Sequence, residues 1–230
     1  MKEVPIHKVT IKDQIYDVLR QEIIEGILRP GDKIVEQNLA DRLNVSRSPI
    51  REAIKQLVGD GLLTYIPNQG AFVKQLSAKE VQDSYDVRIM LEEYAIKHID
   101  DKLREKYGKQ MLKLRKKMEQ AMEDLSITQY LLVDRDLHAL IIHICDNKVV
   151  WNFYEKLWGQ IAPFRTISLM SDKRLKLSMQ EHINILDGIM EHKDEEALEV
   201  LQVHLQEARS TVNYYLYKSV AEPLIRDGVE

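Results

Sequence analysis

The sequence predicts a mainly α-helical protein with one small β-hairpin near its start. Three observations lead there. Five of the nine glycines and four of the six prolines lie before residue 71. From 78 to 222 the chain is nearly all helix former, broken only by Gly108, Gly159, Gly188 and Pro163. Two short strand-like runs, 62–66 and 71–76, flank the turn-forming "PNQG". The shift in composition near "VKQLSAKE" (73–80) divides the chain into two expected domains, 1–76 and 77–230. Ser77 and Glu80 there have the spacing of a capping box that opens a long helix.

In the first domain Ile15, Val18, Leu19, Ile23 and Ile27 recur at helical spacing, and "EGILRPGD" turns the chain. "VEQNLADRLNV" reads as a short second helix with Leu39, Ala40 and Leu43 facing in. Asn44 stands where the chain must turn, and asparagine tolerates the left-handed conformation. Ser46 or Ser48 can cap a third helix, and Pro49 is acceptable in its first turn. Ile50, Ile54, Leu57 and Val58 would hold that helix against the first two. Helix, short helix, turn, helix, hairpin is the order of a winged helix-turn-helix. The second domain reads as an all-α bundle, with helices expected at 78–100, 106–124, 127–145, 148–170, 174–191 and 194–218. Gly108 is expected in one break and Pro163 in another.

Bulk properties limit the function. The chain has 230 residues, 44% hydrophobic and 30% charged, which suits one large or two modest globular domains. A net charge of −4 excludes a uniformly basic nucleic-acid coat but permits a local basic patch. The single cysteine, Cys145, cannot form an intrachain disulfide, which fits a reducing cytoplasm. "LHALIIHIC" is too short to span a membrane, and the first residues lack a signal-peptide core.

In "NVSRSPIREAIKQL", Arg47 and Arg51 lie one turn apart, about 40° apart around the helix. A recognition helix presents its first residues to base edges in the major groove, and guanidinium forks match guanine or phosphate. Ser46 and Ser48 would offer hydroxyls to phosphates, and the hairpin tip at Gly70 permits close approach to a backbone. The blander alternative is a solvated face, with Arg51 paired locally to Glu52 or to residues near Lys55. The order of elements decides against it. "GILRPGDKI", "E..LA..L.VSRSPIREAI..L...GLL" and the closing "G.FV" together resemble the winged helix-turn-helix of GntR-family bacterial transcription regulators. The resemblance implies that Arg47 and Arg51 touch DNA, with Gly70 at the wing tip. It departs at Gln37, where some members carry arginine, and at Asn44, where glycine is common. Residues 1–77 hold 11 Lys/Arg against 10 Asp/Glu, so one copy should bind weakly. A homodimer on a palindromic operator is therefore expected.

In the second domain Asp134 and His138 are four apart on one helical face, among Leu131, Leu137, Ile141 and Ile142. His182 and His204 also sit on apolar-patterned helices. Three histidines and an aspartate suit a divalent ion of Zn²⁺, Ni²⁺ or Mn²⁺ type in a bundle core. A histidine on an apolar helix is, however, more often a hydrogen-bonded core residue, and the pattern does not single out three of the seven. "DRDLH", "EHINIL" and "HL" after a GntR-type winged helix resemble the FCD domain of the FadR-like subgroup. That resemblance implies metal binding by Asp134, His138, His182 and His204 in an effector pocket. "DVRIMLEEYA" is similar to the subgroup's R-x-x-L-E pattern, so Arg88 can clamp a carboxylate or instead pair with Glu92. Arg165 is a second effector candidate.

The expected function is a repressor or activator whose operator affinity is set by a small carboxylate metabolite, an organic or sugar acid, bound at the metal. One alternative is a regulator with a purely structural metal and no effector. Another is a metal-dependent enzyme fused to a DNA-binding module. Against the enzyme, the sequence has no HExxH and no nucleophile elbow, and only Glu181 offers a general base near the ligands.

Overall fold

A computed structural model describes residues 10–168 and 172–221. Among them are nine helices and three strands. Contacts divide the chain into two compact units. One runs to Leu76 and takes in Trp158–Pro163; the other comprises Ser77–Leu157 and the residues from Phe164 onward.

The first unit opens with α1 (Ile11–Ile24), whose start is closed by a capping box between Thr10 and Asp13. Ile15, Leu19 and Ile23, each four residues on, form its buried stripe. Val18 and Ile27, expected on that face, are exposed. Val18 falls at the edge of the stripe. Ile27 lies past the helix end, where Gly26 turns the chain at φ 73°. Strand β1 (Lys33–Ile34) follows, then α2 (Glu36–Leu43). Asn44 ends α2 in the left-handed conformation, at φ 51° and ψ 49°. This is the turn of the helix-turn-helix, and α3 (Arg47–Gly59) follows with Ser46 at its N-cap. Ile50, Ala53, Ile54 and Leu57 bury the inner face of α3 against α1 and α2.

Strands β2 (Leu63–Ile66) and β3 (Gly70–Val73) form the expected hairpin. Its tip places Asn68 at φ 63° and Gly70 at φ 102°. The sheet has three antiparallel strands, ordered β1-β3-β2, with Lys33 opposite Phe72 and Leu63 opposite Val73. The sequence reading did not anticipate β1. Two residues carry too little alternation to register as a strand.

The second unit is all-α: α4 (Ala78–Lys97), α5 (Asp101–Glu123), α6 (Ile127–Ile144), α7 (Lys148–Ser168, apart from Trp158–Pro163, which group with the first unit), α8 (Asp172–Met190) and α9 (Asp194–Ala221). The capping box of Ser77 and Glu80 opens α4, and Ser126 caps α6 through Gln129. Helix α4 packs on α6 and α9, α5 on α6 and α8, and α8 on α9. Two expected breaks are absent. Asp100 caps α5 through Leu103, so that helix starts early and carries Gly108 within it. Helix α7 runs through position 163. The last two residues of the helix expected at 148–170 lie outside the described residues. Helix α6 is buried on most sides, through Tyr130, Leu137, Leu140, Ile141 and Ile142. That all-round burial explains why its polar residues Asp134 and His138 lie in the interior.

Candidate metal centre and nucleic-acid interface

In the second unit Asp134, His138, His182 and His204 are all buried, and one ligand atom from each lies within 4.8 Å of the others. Helix α6 supplies the first two from one face, α8 supplies His182 and α9 supplies His204. The Nε2 atom of His182 stands 3.1 Å from that of His138 and 3.1 Å from that of His204. Asp134 Oδ1 lies 3.6 Å from His182 Nε2 and 3.8 Å from His138 Nε2.

Each imidazole is held from behind through its Nδ1. His138 Nδ1–H donates to Glu92 Oε2 at 2.5 Å. His204 Nδ1–H donates to Glu181 Oε2 at 2.8 Å. His182 Nδ1 faces the Tyr130 hydroxyl at 3.3 Å. Those outer partners are fixed in turn: Arg88 donates to Glu92 at 2.7 Å, and both Nη atoms of Arg174 donate to Glu181 at 2.8 Å. Asp134 accepts from Tyr130 at 3.2 Å and from Arg165. Tyr130 also shares a hydrogen bond with Ser178. Glu181, the one general-base candidate, is thus occupied in orienting His204.

Electrostatics favour ligation. Burial, reinforced by the neighbouring Arg88, pushes His138 well below the usual imidazole range. Burial, reinforced by the neighbouring histidines, does the same to His182. Both are neutral, the form that binds a metal. Burial alone would raise Asp134, but the Arg165 guanidinium outweighs it and holds the carboxylate ionised. Burial likewise works to raise Glu181, yet the hydrogen bonds from His204 and Arg174 bring it down to about 2. Burial pushes Glu92 up, opposed by Arg88. With Nδ1–H committed on His138 and His204, their Nε2 lone pairs both face His182 Nε2, which can donate at most one proton. At least one of the two contacts then sets lone pair against lone pair. A cation among the three nitrogens removes that conflict. Two nitrogens bound to one ion at about 2.0–2.1 Å are roughly 2.9–3.4 Å apart, and the observed 3.1 Å fits. The donor set therefore fits a divalent metal.

Arg88 is paired with Glu92 and buried, as the structural alternative expects. Arg88 and Arg165 also line, with Arg174, Tyr130, Ser178 and His204, a cavity of about 10 Å³ beside the cluster. That volume is room for a single water. Glu92, expected only as a partner of Arg88, and Glu181, expected only as a base, also orient His138 and His204, while Arg174 and Tyr130 are additions from the structure. Tyr130 is four residues before Asp134 on the same face and was legible as a neighbour. Glu92 lies 46 residues from the histidine it orients, and only the packing of helices joins them. His98, His143 and His192 stay outside the cluster. His143 stacks on Trp151, and His98 meets the Tyr94 carbonyl oxygen at 2.7 Å.

In the first unit Arg47 opens α3 and Arg51 follows one turn later, with side chains 53% and 56% exposed. Ser46 and Ser48 are exposed beside them, and the Ser46 hydroxyl makes no capping hydrogen bond. Gly70 stands at the hairpin tip in a conformation that favours glycine. Neither arginine pairs with Glu52, which instead meets Lys55 at 2.9 Å. Both converge on Glu36, Arg51 through Nε at 2.7 Å and Arg47 through Nη2 at 3.2 Å. Burial works to raise Glu36, but the two guanidinium groups hold it below its ordinary value.

Both parts of the chain resemble known protein families. Residues 11–73 match the model of bacterial regulatory proteins of the gntR family, and residues 83–207 match the FCD domain. An uncharacterized HTH-type transcriptional regulator of Bacillus subtilis, YdhC, is 30% identical over 83% of this chain and 86% of its own. The gluconate operon transcriptional repressor of the same species is 28% identical, covering 74% of this chain and 69% of its own. The solved structure of Escherichia coli McbR/YncC superposes with a TM-score of 0.74 at 21% identity, over 91% of this chain and all of that one. No described helix is long and apolar enough to cross a membrane. The chain belongs to the gntR family of bacterial regulatory proteins, and its DNA-binding winged helix-turn-helix precedes an FCD domain with a buried cluster of three histidines and an aspartate.

Proposed function

We propose that this regulator binds a divalent metal through Asp134, His138, His182 and His204, and that a small carboxylate bound there sets its affinity for DNA. The observation that carries this reading is the convergence of three Nε2 atoms whose Nδ1 sides are all occupied. Such outer partners fix the tautomer and aim the lone pair. The ion would supply a Lewis-acidic anchor for a carboxylate, and four protein ligands leave positions for one on an ion of higher coordination number. Arg88 and Arg165 line the adjoining cavity and can clamp the same ligand bidentately. An organic or sugar acid has this chemistry, and gluconate, named for one relative's operon, is of that class.

The output is a shift between states of different DNA affinity, and the coupling must be reciprocal. Residues 1–76 form the DNA-binding domain and 77–230 the ligand-binding and dimerising domain. Arg47 and Arg51, with Ser46, Ser48 and the wing tip at Gly70, meet double-stranded DNA. Two copies bind a palindromic operator in the cytoplasm. The protein is not an enzyme: its relatives are named as regulators, and Glu181 is committed to His204 and Arg174.

The test is a fluorescence-anisotropy titration on a duplex enriched from a randomised pool, with metal-loaded protein and a panel of organic and sugar acids. At least one acid should change affinity by about 5–150-fold, and the His138→Ala/His182→Ala variant should lose the response. The small cavity favours a second reading, a structural metal without effector. Under that reading no acid shifts the titration, while metal content stays at one per chain.

A further inference from the structure

We propose that Glu36 is a specificity-determining residue of the DNA-reading helix. It holds Arg51 in the posture that reads base edges and weakens the attraction of both Arg51 and Arg47 to phosphate. The inference rests on the reading that these arginines contact DNA.

One carboxylate oxygen of Glu36 serves both side chains. It is the first residue of α2, and the arginines lie in the first two turns of α3. The turn at Asn44 brings those helix starts together. An exposed ion pair of this kind contributes little to stability, so stability does not explain the arrangement. Posture does. A guanidinium has two donor edges, and Glu36 takes Nε of Arg51, on the side edge. The end edge, formed by the two Nη groups, takes no part in that bond. It has the two-donor geometry that matches guanine O6 and N7. An arginine held along one edge gives up rotamer freedom before it meets DNA.

Charge acts in the same direction. Two guanidinium groups sharing one carboxylate present a net charge of only one. Phosphate attraction dominates non-specific binding, whereas base-edge contacts carry sequence information. A carboxylate at the reading surface repels phosphates wherever the protein lands. It leaves the Nη edge of Arg51 able to recognise the right base. Two arginines keep Glu36 below its ordinary range, so it carries this charge at neutral pH. Position 36 also lies in the first turn of α2, where an acid complements the helix dipole. That role alone would affect melting and not sequence discrimination.

The experiment compares full-length wild type with Glu36→Gln and Glu36→Ala at fixed salt. Anisotropy is read on two duplexes: one enriched from a randomised pool by wild-type protein, the other a scramble of the same composition. For both variants, affinity for the scrambled duplex should rise about 3–10-fold and the ratio of enriched to scrambled affinity should fall about tenfold. The salt slope on the scrambled duplex should steepen by about 0.9, equivalent to one more neutralised phosphate. A ratio unchanged within twofold in both variants overturns the proposal. Arg47→Ala and Arg51→Ala are measured alongside. If they weaken binding to the enriched duplex while the ratio in the Glu36 variants holds, the role of Glu36 alone is wrong. If they leave binding unchanged, the DNA-contact reading fails and the inference with it.

Discussion

His138 and His204 each present a lone pair to the centre of the bundle because a glutamate holds the other side of the ring. Replacing such a partner weakens metal binding about 10–100-fold in comparable sites. Glu92→Gln and Glu181→Gln should each do so here, measured by competition with a chromophoric chelator. Glu181→Gln should leave secondary structure intact, because that residue is partly exposed. For the DNA face, Arg47→Ala and Arg51→Ala should each reduce affinity for an enriched duplex by about 1–3 kcal/mol, read by titration at fixed salt. The residue scale was only partly legible in the sequence. The pair Asp134 and His138 declares itself by a spacing of four on an apolar helix. His182 and His204 are ordinary core histidines until a resemblance selects them. The links from Glu92 to His138 and from Glu36 to Arg47 and Arg51 were beyond reach, because the partners lie 46, 11 and 15 residues apart and meet only through packing.

Helix ends were the most legible elements. Ser77 and Glu80, Ser126 and Asn44 all act where their chemistry points, because caps are local. Ser77→Ala should cost about 1 kcal/mol in chemical denaturation. Gly108 was misread as a break. Asp100 starts α5 earlier, and the helix tolerates the glycine. A Cβ at position 108 would meet no atom within 4 Å. Gly108→Ala should therefore stabilise the protein by about 0.5–1 kcal/mol, seen as a higher denaturation midpoint at unchanged slope. Strand β1 escaped the sequence reading because its two residues are strand only by pairing with β3, a contact some forty residues distant in the chain. The α3 stripe was plain, since Ile50, Ile54 and Leu57 follow the helical period and are all buried.

At the scale of the whole molecule, composition sets a glycine- and proline-bearing first part apart from a helix-forming second part, and contacts define two units, the first running to Leu76 and also taking in Trp158–Pro163. The two units carry different chemistry, a winged helix-turn-helix in one and a buried cluster of three histidines and an aspartate in the other. The proposed function requires the two to be coupled, so that a ligand at one alters DNA affinity at the other. A bound metal stabilises the folded form by mass action, about 2.7 kcal/mol when free metal is 100 times its Kd. Stripping it with a chelator should therefore lower the melting temperature by about 5–10 °C. A His138→Ala/His182→Ala variant should show no such drop. The most direct test of the central claim is elemental analysis of purified protein beside that variant. The account predicts about one divalent transition-metal ion per chain in the wild type and at least tenfold less in the variant. Equal metal content in the two proteins would contradict it.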